Sequence, residues 1–161
     1  MRNLISIILV FALSSAFAQD LDGTKKKIAA GNYQEAKAEL TKMLEASPRN
    51  KQILLLRGQT RLRLEDYYGA VSDLTFALEQ DTTFADALSL RGEAKLNLGD
   101  DEGAIADLDK AIRLNAKLVD AYTNRGLAKF NIEDLQGAYF DFPKPLKSDR
   151  PMPTNTSIAV L

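Results

Sequence analysis

Apolar residues in the middle of the chain recur with the spacing of an amphipathic helix. They fall at positions i, i+1, i+4, i+7 and i+8, which lie on one face of a helix. The same five positions are apolar 34 residues later. The two sets are Ala70, Val71, Leu74, Ala77 and Leu78, and then Ala104, Ile105, Leu108, Ala111 and Ile112. Leucines ahead of each set, from Leu54 to Leu64 and from Leu88 to Leu98, predict a further helix in every unit, so we expect an all-α fold.

The chain repeats itself every 34 residues. The dipeptide Arg-Gly stands at 57, 91 and 125, and Gly-Ala stands at 69, 103 and 137. A fixed interval between two independent marks indicates a repeated structural unit. Each unit is predicted to contain two helices of about fourteen residues. The two helices separate at Glu65-Asp66, Gly99-Asp100 and Glu133-Asp134, where the aspartate is a favourable N-cap for the second helix.

Each predicted first helix has a glycine near its middle, at Gly58, Gly92 and Gly126. Glycine inside a helix costs about 1 kcal/mol relative to alanine. A close approach of the second helix would offset this cost. We expect that approach at the alanines Ala70, Ala104 and Ala138.

The repeat resembles the tetratricopeptide repeat family, whose unit is a 34-residue helix-turn-helix with a small residue in the first helix and alanines in the second. The resemblance implies an α-solenoid of about three and a half repeats that winds as a right-handed superhelix. The repeats are expected at about 19–50 (partial), 51–84, 85–118 and 119–150, which form one domain over 19–150. Pro143 and Pro145 should end the last helix near Asp141 or Phe142, because proline cannot continue a helix. Residues 151–161 would then form a C-terminal tail.

The opening half-unit follows the same pattern less completely. Gly31-Asn32-Tyr33, Ala36, Leu40 and Pro48 fit the turn, the second helix and the end of a repeat. We expect a short polar helix over 22–30 in front of them. A polar terminal repeat keeps the exposed end of a solenoid soluble.

Residues 1–18 have the three parts of a secretory signal peptide. Arg2 supplies a positive charge, an apolar run covers 4–13, and Ala16-Phe17-Ala18 presents small residues where a signal peptidase cuts. The run is shorter than the roughly 20 residues that a membrane-spanning helix needs. We expect cleavage before Gln19 and an exported protein, periplasmic or secreted, with no stable membrane insertion.

The composition excludes several classes of function. The 161 residues include no His, Cys or Trp, which excludes imidazole or thiolate catalysis and zinc binding through nitrogen or sulfur. The net charge of −1 provides no field that would attract nucleic acid. Asp100-Asp101-Glu102 lacks the alternating ligands of a calcium loop, and acidic residues are expected at a helix N-terminus. We therefore expect a protein that is not an enzyme and that binds no metal or cofactor.

Charged residues 16 positions apart recur in phase with the repeat: Arg57 with Asp73, Arg91 with Asp107, and Arg125 with Asp141. In an antiparallel helix pair this separation predicts structural ion pairs between the first and second helices. The sequence leaves open whether each pair forms within a repeat or between adjoining repeats. Arginines that bind an anionic ligand are the alternative.

The family resemblance implies that the first helices line an inner groove, which binds a protein or peptide segment. Carried onto this chain, the groove positions are Gln52, Leu55, Gln59, Arg63, Asp86, Ser89, Glu93, Asn97, Asp120, Thr123, Leu127 and Asn131. Family members that grip a terminal carboxylate use lysine, arginine and asparagine there. This groove offers Arg63 and two asparagines, so no carboxylate clamp is predicted. The expected function is a non-enzymatic interaction scaffold outside the cytoplasm, and the alternative is an assembly subunit that self-associates through its open C-terminal end.

Overall fold

The computed structural model describes residues 21–142, which fold into eight helices without a strand among them. The helices are α1 (21–29), α2 (Tyr33–Ala46), α3 (Lys51–Arg63), α4 (Tyr67–Gln80), α5 (Ala85–Asn97), α6 (Asp101–Leu114), α7 (Val119–Asn131) and α8 (Leu135–Asp141). The all-α prediction is confirmed. Each complete repeat has a first helix of 13 residues and a second helix of 14.

Several expectations concern residues outside the described range. These are the signal peptide at 1–18 with its cleavage before Gln19, the two prolines at 143 and 145, and the tail at 151–161. Within the described range, the short first helix over 21–29 agrees with the helix expected at 22–30. The last helix ends at Asp141, where the sequence places its end.

Three second helices begin at the aspartates that the sequence singles out. Asp66, Asp100 and Asp134 each accept a hydrogen bond from the backbone N–H three residues later, at 3.1, 3.0 and 2.9 Å. Such an N-cap contributes about 1 kcal/mol to helix stability. The residue before each aspartate lies in the left-handed region, with φ of 78° at Gly99, 59° at Glu65 and 66° at Glu133. Glycine adopts this conformation without strain, whereas the two glutamates do not.

The core lies between the helix layers and runs along the array. Its largest fully buried apolar side chains come from successive helices: Leu40, Ile53, Leu74, Leu88 and Leu108. Short turns make neighbouring helices antiparallel, and consecutive helices from α2 to α8 pack on one another. No helix could bury its apolar face alone, so the repeats stabilise one another.

Gly58 and Gly92 admit a leucine of the second helix and not mainly its alanine, and Gly126 admits Phe142 and Asp141 in place of the expected Ala138. A Cβ atom added to Gly58 would lie 2.8 Å from Cγ of Leu74, and one on Gly92 would lie 2.6 Å from Cγ of Leu108. Ala104 approaches Gly92 only through its backbone oxygen, at 3.3 Å. The predicted close approach is present, but the residue that uses the space is a leucine four positions after the expected alanine.

The first helices of successive repeats contact one another. Helix α3 packs against α5, and α5 packs against α7. Among the described helices, α4 and α6 have no comparable contact. The first helices are therefore closer together than the second helices, which makes their shared face the inner, concave side of the solenoid.

The predicted charge pairs form, and each lies within one repeat. Arg91 donates from Nε and Nη2 to the two oxygens of Asp107 at 2.8 and 2.7 Å. Arg57 makes the same two bonds to Asp73, at 2.8 and 2.7 Å. Arg125 donates to both oxygens of Asp141 as well. The structure thus decides that each pair forms within a repeat and not between adjoining repeats.

The third guanidinium nitrogen reaches the preceding repeat. Nη1 of Arg57 and Arg91 donates to the hydroxyl oxygens of Thr41 and Thr75 at 3.3 and 3.2 Å. Nη1 of Arg125 donates to Asp109 at 2.6 Å. Each arginine therefore connects three helices, and we call this series of contacts the arginine ladder.

A second cation completes the ladder at every level. Lys95 lies 2.8 Å from Asp107, Lys129 lies 2.8 Å from Asp141, and Nε of Arg61 lies 3.3 Å from Asp73. The opening repeat has the corresponding contact between Lys27 and Glu39. These four cations and four acids also recur every 34 residues, so the period could have revealed them.

The ladder lowers the pKa of Asp107 and of Asp141. Burial alone would raise the pKa of Asp107, but the hydrogen bonds from Arg91 and Lys95 outweigh burial and hold that pKa below its ordinary value of 3.8. The pKa of Asp141 is lowered in the same way by Arg125 and Lys129. Both carboxylates are therefore ionised near neutral pH, which keeps the cations of the ladder occupied.

The described chain ends on an apolar surface. Helix α8 has 7 residues, and Phe140 is 67% exposed on it. Further apolar side chains of α7, α8 and the turn between them are exposed: Leu127, Phe130, Ile132, Leu135, Tyr139 and Phe142. We call these seven residues the C-terminal apolar surface.

Candidate functional site

A cavity of about 450 Å³ opens on the inner face, between the first helices of three repeats. Five of the twelve predicted groove residues line it: Leu55, Gln59, Asp86, Ser89 and Asp120. Four more lining residues are Leu90, Lys117, Leu118 and Val119. We call this the inner cavity. It brings together residues that are up to 65 positions apart in the sequence, from Leu55 to Asp120.

The floor of the inner cavity is apolar. Leu55, Leu90 and Leu118 are half-buried and pack against the hydrophobic core. Val119 stands at the rim and is 65% exposed. An apolar floor that opens to solvent favours a ligand with an aliphatic portion.

The wall of the inner cavity carries two acidic side chains on different helices. Asp86 lies in the first turn of α5 and Asp120 in the first turn of α7. Both residues are exposed. Within residues 21–142, neither carboxylate lies within 4.0 Å of a cationic side chain. Lys117 is the one cation among the nine lining residues.

Ser89 places an unused hydroxyl in the inner cavity. The residue is only 8% exposed, yet it lines the cavity. Among the described residues its side chain has no hydrogen-bond partner, whereas Asn97 on the same helix donates to the backbone oxygen of Glu93 at 2.8 Å. A hydroxyl that faces a cavity and has no protein partner is a position where a ligand atom can bond.

Glu93 continues the acidic character one helical turn beyond Ser89. Burial raises the pKa of its carboxyl group, the positive charge of Arg63 opposes that shift, and the negative charge of Asp120 adds to it. The charges of Arg63 and Asp120, from the two neighbouring repeats, thus both act on Glu93. Glu93 does not line the inner cavity itself.

The remaining predicted groove residues do not contribute to the inner cavity. Gln52 and Thr123 are exposed, and the hydroxyl of Thr123 donates to the backbone oxygen of Val119 at 3.3 Å. Asn131 donates to Oδ1 of Asp101 at 2.8 Å. The side chains of Thr123 and Asn131 therefore bond within the fold. Leu127 belongs to the C-terminal apolar surface.

Sequence reasoning missed four lining residues. Lys117 and Leu118 lie in the turn between α6 and α7, and Val119 opens α7. The family resemblance places the groove on the first helices and gives no weight to a turn. Leu90 was assigned to the core pattern, and it serves both the core and the cavity floor.

A second cavity, of about 440 Å³, lies on the other side of the repeat pair, beside α4. Arg57, Arg61 and Asp73 line it, and all three belong to the arginine ladder. Asp73 pairs its charge with both arginines, although Nε of Arg61 is buried without a hydrogen-bond partner among the described residues.

The acidic run that raised the question of calcium is occupied within the fold, since Asp100 caps α6 and Asp101 accepts from Asn131.

No helix within residues 21–142 is long and apolar enough to cross a membrane.

Comparison with known proteins agrees with this architecture. A family model described as TPR repeat matches residues 96–132. No curated protein matches the chain by sequence. The chain is similar to a crystal structure of MamA, with 30% sequence identity. The match covers 73% of this chain and 69% of the MamA chain and has a TM-score of 0.68.

Two further structures similar to this chain contain peptides. The first TPR of Spaghetti (RPAP3), bound to the HSP90 peptide SRMEEVD, is 25% identical, covers 70% of this chain and 89% of its own, and has a TM-score of 0.67. The second TPR domain of human RPAP3, in complex with the HSP70 peptide SGPTIEEVD, is 24% identical to this chain. The match covers 68% of this chain and 92% of the RPAP3 domain, with a TM-score of 0.64.

The fold is an α-solenoid of the kind that serves as a protein-interaction scaffold. Its marks are the stacked helix pairs, the 34-residue period and the inner face made by the first helices. The chain belongs to the tetratricopeptide repeat family.

Proposed function

We propose that this protein is a non-enzymatic adaptor that binds a peptide segment of another protein in the inner cavity. One observation carries the proposal: the first helices of three repeats converge on an open cavity with an apolar floor and unpaired polar groups. A TPR domain that is 25% identical holds the peptide SRMEEVD, which supports peptide binding as the use of this fold.

Partner capture on the immobilised protein tests the proposal. Glu93→Lys and Val119→Lys change the inner face at side chains that are not fully buried, so both variants should fold normally and lose the partner. Arg113→Glu is the matched control on the outer helix α6, where the side chain is exposed. Retention of the partner by both inner variants, together with its loss in the Arg113 variant, would refute binding on the inner face.

Substitutions at Ser89 and Asp109 are poor tests of this proposal. Ser89 is 8% exposed, so a larger side chain there would disturb packing as well as binding. Asp109 accepts a hydrogen bond from Arg125 at 2.6 Å, so its reversal would damage the arginine ladder.

We also propose that the protein acts outside the cytoplasm. The support is the signal-peptide pattern of residues 1–18, with small residues at Ala16 and Ala18. N-terminal mass analysis of protein recovered outside the cytoplasm should identify Gln19 as the first residue. Protein that keeps Met1 and remains in the cytoplasm or membrane would contradict the proposal.

Self-association through the C-terminal end is the second candidate, and the C-terminal apolar surface favours it. Exposed apolar patches of this kind mark interaction surfaces, and Phe140 at 67% exposed and Leu135 at 61% exposed are prominent within it. Sedimentation should show dimers at high protein concentration that disappear in Phe140→Glu and Leu135→Lys. A monomer at every concentration would exclude this role.

A further inference from the structure

We infer that the inner cavity selects a cationic segment, in which a Lys or Arg side chain is flanked by apolar residues. This inference rests on the proposed peptide-binding function and specifies the chemistry of the partner. The favourable ligand lays its aliphatic stem on the floor formed by Leu55, Leu90 and Leu118, and its charged end reaches the carboxylates of Asp86 and Asp120.

The charges around the cavity carry the inference. Asp86 and Asp120 lie on different helices of the wall, and within the described chain neither has a cationic partner. Lys117 is the one cation in the lining, and Arg63 is a further cation of the inner face, which acts on Glu93. The lining therefore carries two carboxylates against one ammonium group.

Asp86 and Asp120 stand at helix N-termini, but they do not serve as capping residues there. Acidic residues in a first turn interact favourably with the helix dipole. In α5 and α7, however, the N-cap positions are Phe84 and Leu118, and no side chain caps the exposed N–H groups. The carboxylates of Asp86 and Asp120 make no capping hydrogen bond, so their oxygens remain available to a ligand.

The hydroxyl of Ser89 is the independent mark of a ligand position. The residue as a whole is more than nine-tenths buried and lines the cavity, and its hydroxyl has no hydrogen-bond partner among the described residues. An extended peptide crossing the three first helices could supply a backbone group to it, while its side chain contacts the acids. Polar, acidic and apolar groups then converge on one segment.

This chemistry differs from that of the peptide SRMEEVD, which ends with three acidic residues in the last four. An acidic segment would meet the charges of Asp86, Asp120 and Glu93 and find Lys117 as the one lining cation. The carboxylates of an acidic segment would be repelled by those of the cavity, whereas a ligand lysine beside Asp86 and Asp120 would form an ion pair.

Titrations with defined peptides test the inference. The probes are Ac-Gly-Leu-Lys-Leu-Gly-NH2, the same peptide with Gln or Glu in place of Lys, and SRMEEVD. Isotope-labelled protein reports both the affinity and the location of binding through the amide signals of Leu55, Ser89, Leu90 and Val119. We expect the lysine peptide to bind most tightly, with an affinity that falls as salt is added.

Matched variants separate charge from fold. Asp86→Asn and Asp120→Asn should each weaken the lysine peptide by about two- to fivefold, as expected for a partly exposed ion pair. They should leave the glutamine peptide unchanged. Glu102→Gln removes a first-turn carboxylate of α6, outside the cavity, and should change neither affinity.

The outcomes distinguish this inference from the proposed function. If the glutamine or glutamate peptide binds the inner cavity as tightly as the lysine peptide, peptide binding stands and the cationic preference is overturned. If the acidic peptides bind and the lysine peptide does not, the inference is likewise overturned. If the lysine peptide shifts only signals outside the inner cavity, both the inference and the proposed site are overturned.

Discussion

Replacing Arg91 by leucine should destabilise the protein far more than the loss of a surface ion pair would. Arg91 donates two hydrogen bonds, of 2.8 and 2.7 Å, to Asp107, which is only 6% exposed. It also reaches Thr75 of the preceding repeat at 3.2 Å. Its removal therefore affects both the helix pair and the contact between repeats.

The magnitude follows from the groups that remain. Breaking a buried ion pair by removing one partner costs about 3–5 kcal/mol. Lys95, 2.8 Å from Asp107, retains part of the compensation, so we expect a loss of about 2–3 kcal/mol in the free energy of unfolding. An exposed ion pair would contribute about 0–1 kcal/mol. Asp107→Leu should cost about 3 kcal/mol, because it leaves two cations without their acceptor.

Urea unfolding followed by far-ultraviolet circular dichroism measures these losses. With a slope of about 1–3 kcal/mol per molar urea, the Arg91 variant should unfold at a midpoint lower by about 1 M. The double variant should lose less than the sum of the two single losses by at least about 1 kcal/mol. Arg113→Leu, at an exposed position of α6, is the control and should change stability by no more than about 0.5 kcal/mol.

Strict additivity in this double-mutant cycle would refute the reasoning. It would mean that Arg91 and Asp107 stabilise the protein independently and that the repeated spacing of 16 residues has no energetic consequence. An equal effect of the Arg91 and Arg113 variants would lead to the same conclusion.

Two further predictions concern packing and pH. Gly92→Ala should lower the free energy of unfolding by about 1–2 kcal/mol in spite of the better helix propensity of alanine, since the new Cβ would lie 2.6 Å from Cγ of Leu108. Gly23→Ala is the control and should be neutral or slightly stabilising, because a Cβ on Gly23 would meet no atom within 4 Å. Equal effects of the two variants in urea unfolding would contradict this prediction. Because the pKa values of Asp107 and Asp141 are lower in the folded chain than the ordinary 3.8, the unfolded chain binds more protons in acid. Stability should therefore decrease as the pH falls below about 4, and replacing both by asparagine should reduce that dependence; an unchanged slope of urea midpoint against pH would contradict the assignment.

The repeat pattern alone determined much of the architecture. The 34-residue interval predicted a repeated unit, and the apolar spacing predicted its two helices. The aspartates at 66, 100 and 134 predicted where three second helices begin. The Arg-to-Asp spacing predicted the ion pairs. These features depend on contacts within one helix or between the two helices of a unit, so a period in the sequence records them directly.

Only the tertiary structure decided what depends on three or more helices at once. It showed that a leucine, and not mainly an alanine, fills the space beside Gly58 and Gly92, because the axial offset of two packed helices is not encoded in either one. It showed that each arginine also contacts the preceding repeat. It selected five of twelve groove residues for the inner cavity and added a turn, Lys117 and Leu118, that has no helical period. The curvature of the array determines which side chains meet there, and curvature arises from the packing of successive repeats, which no single stretch of sequence specifies.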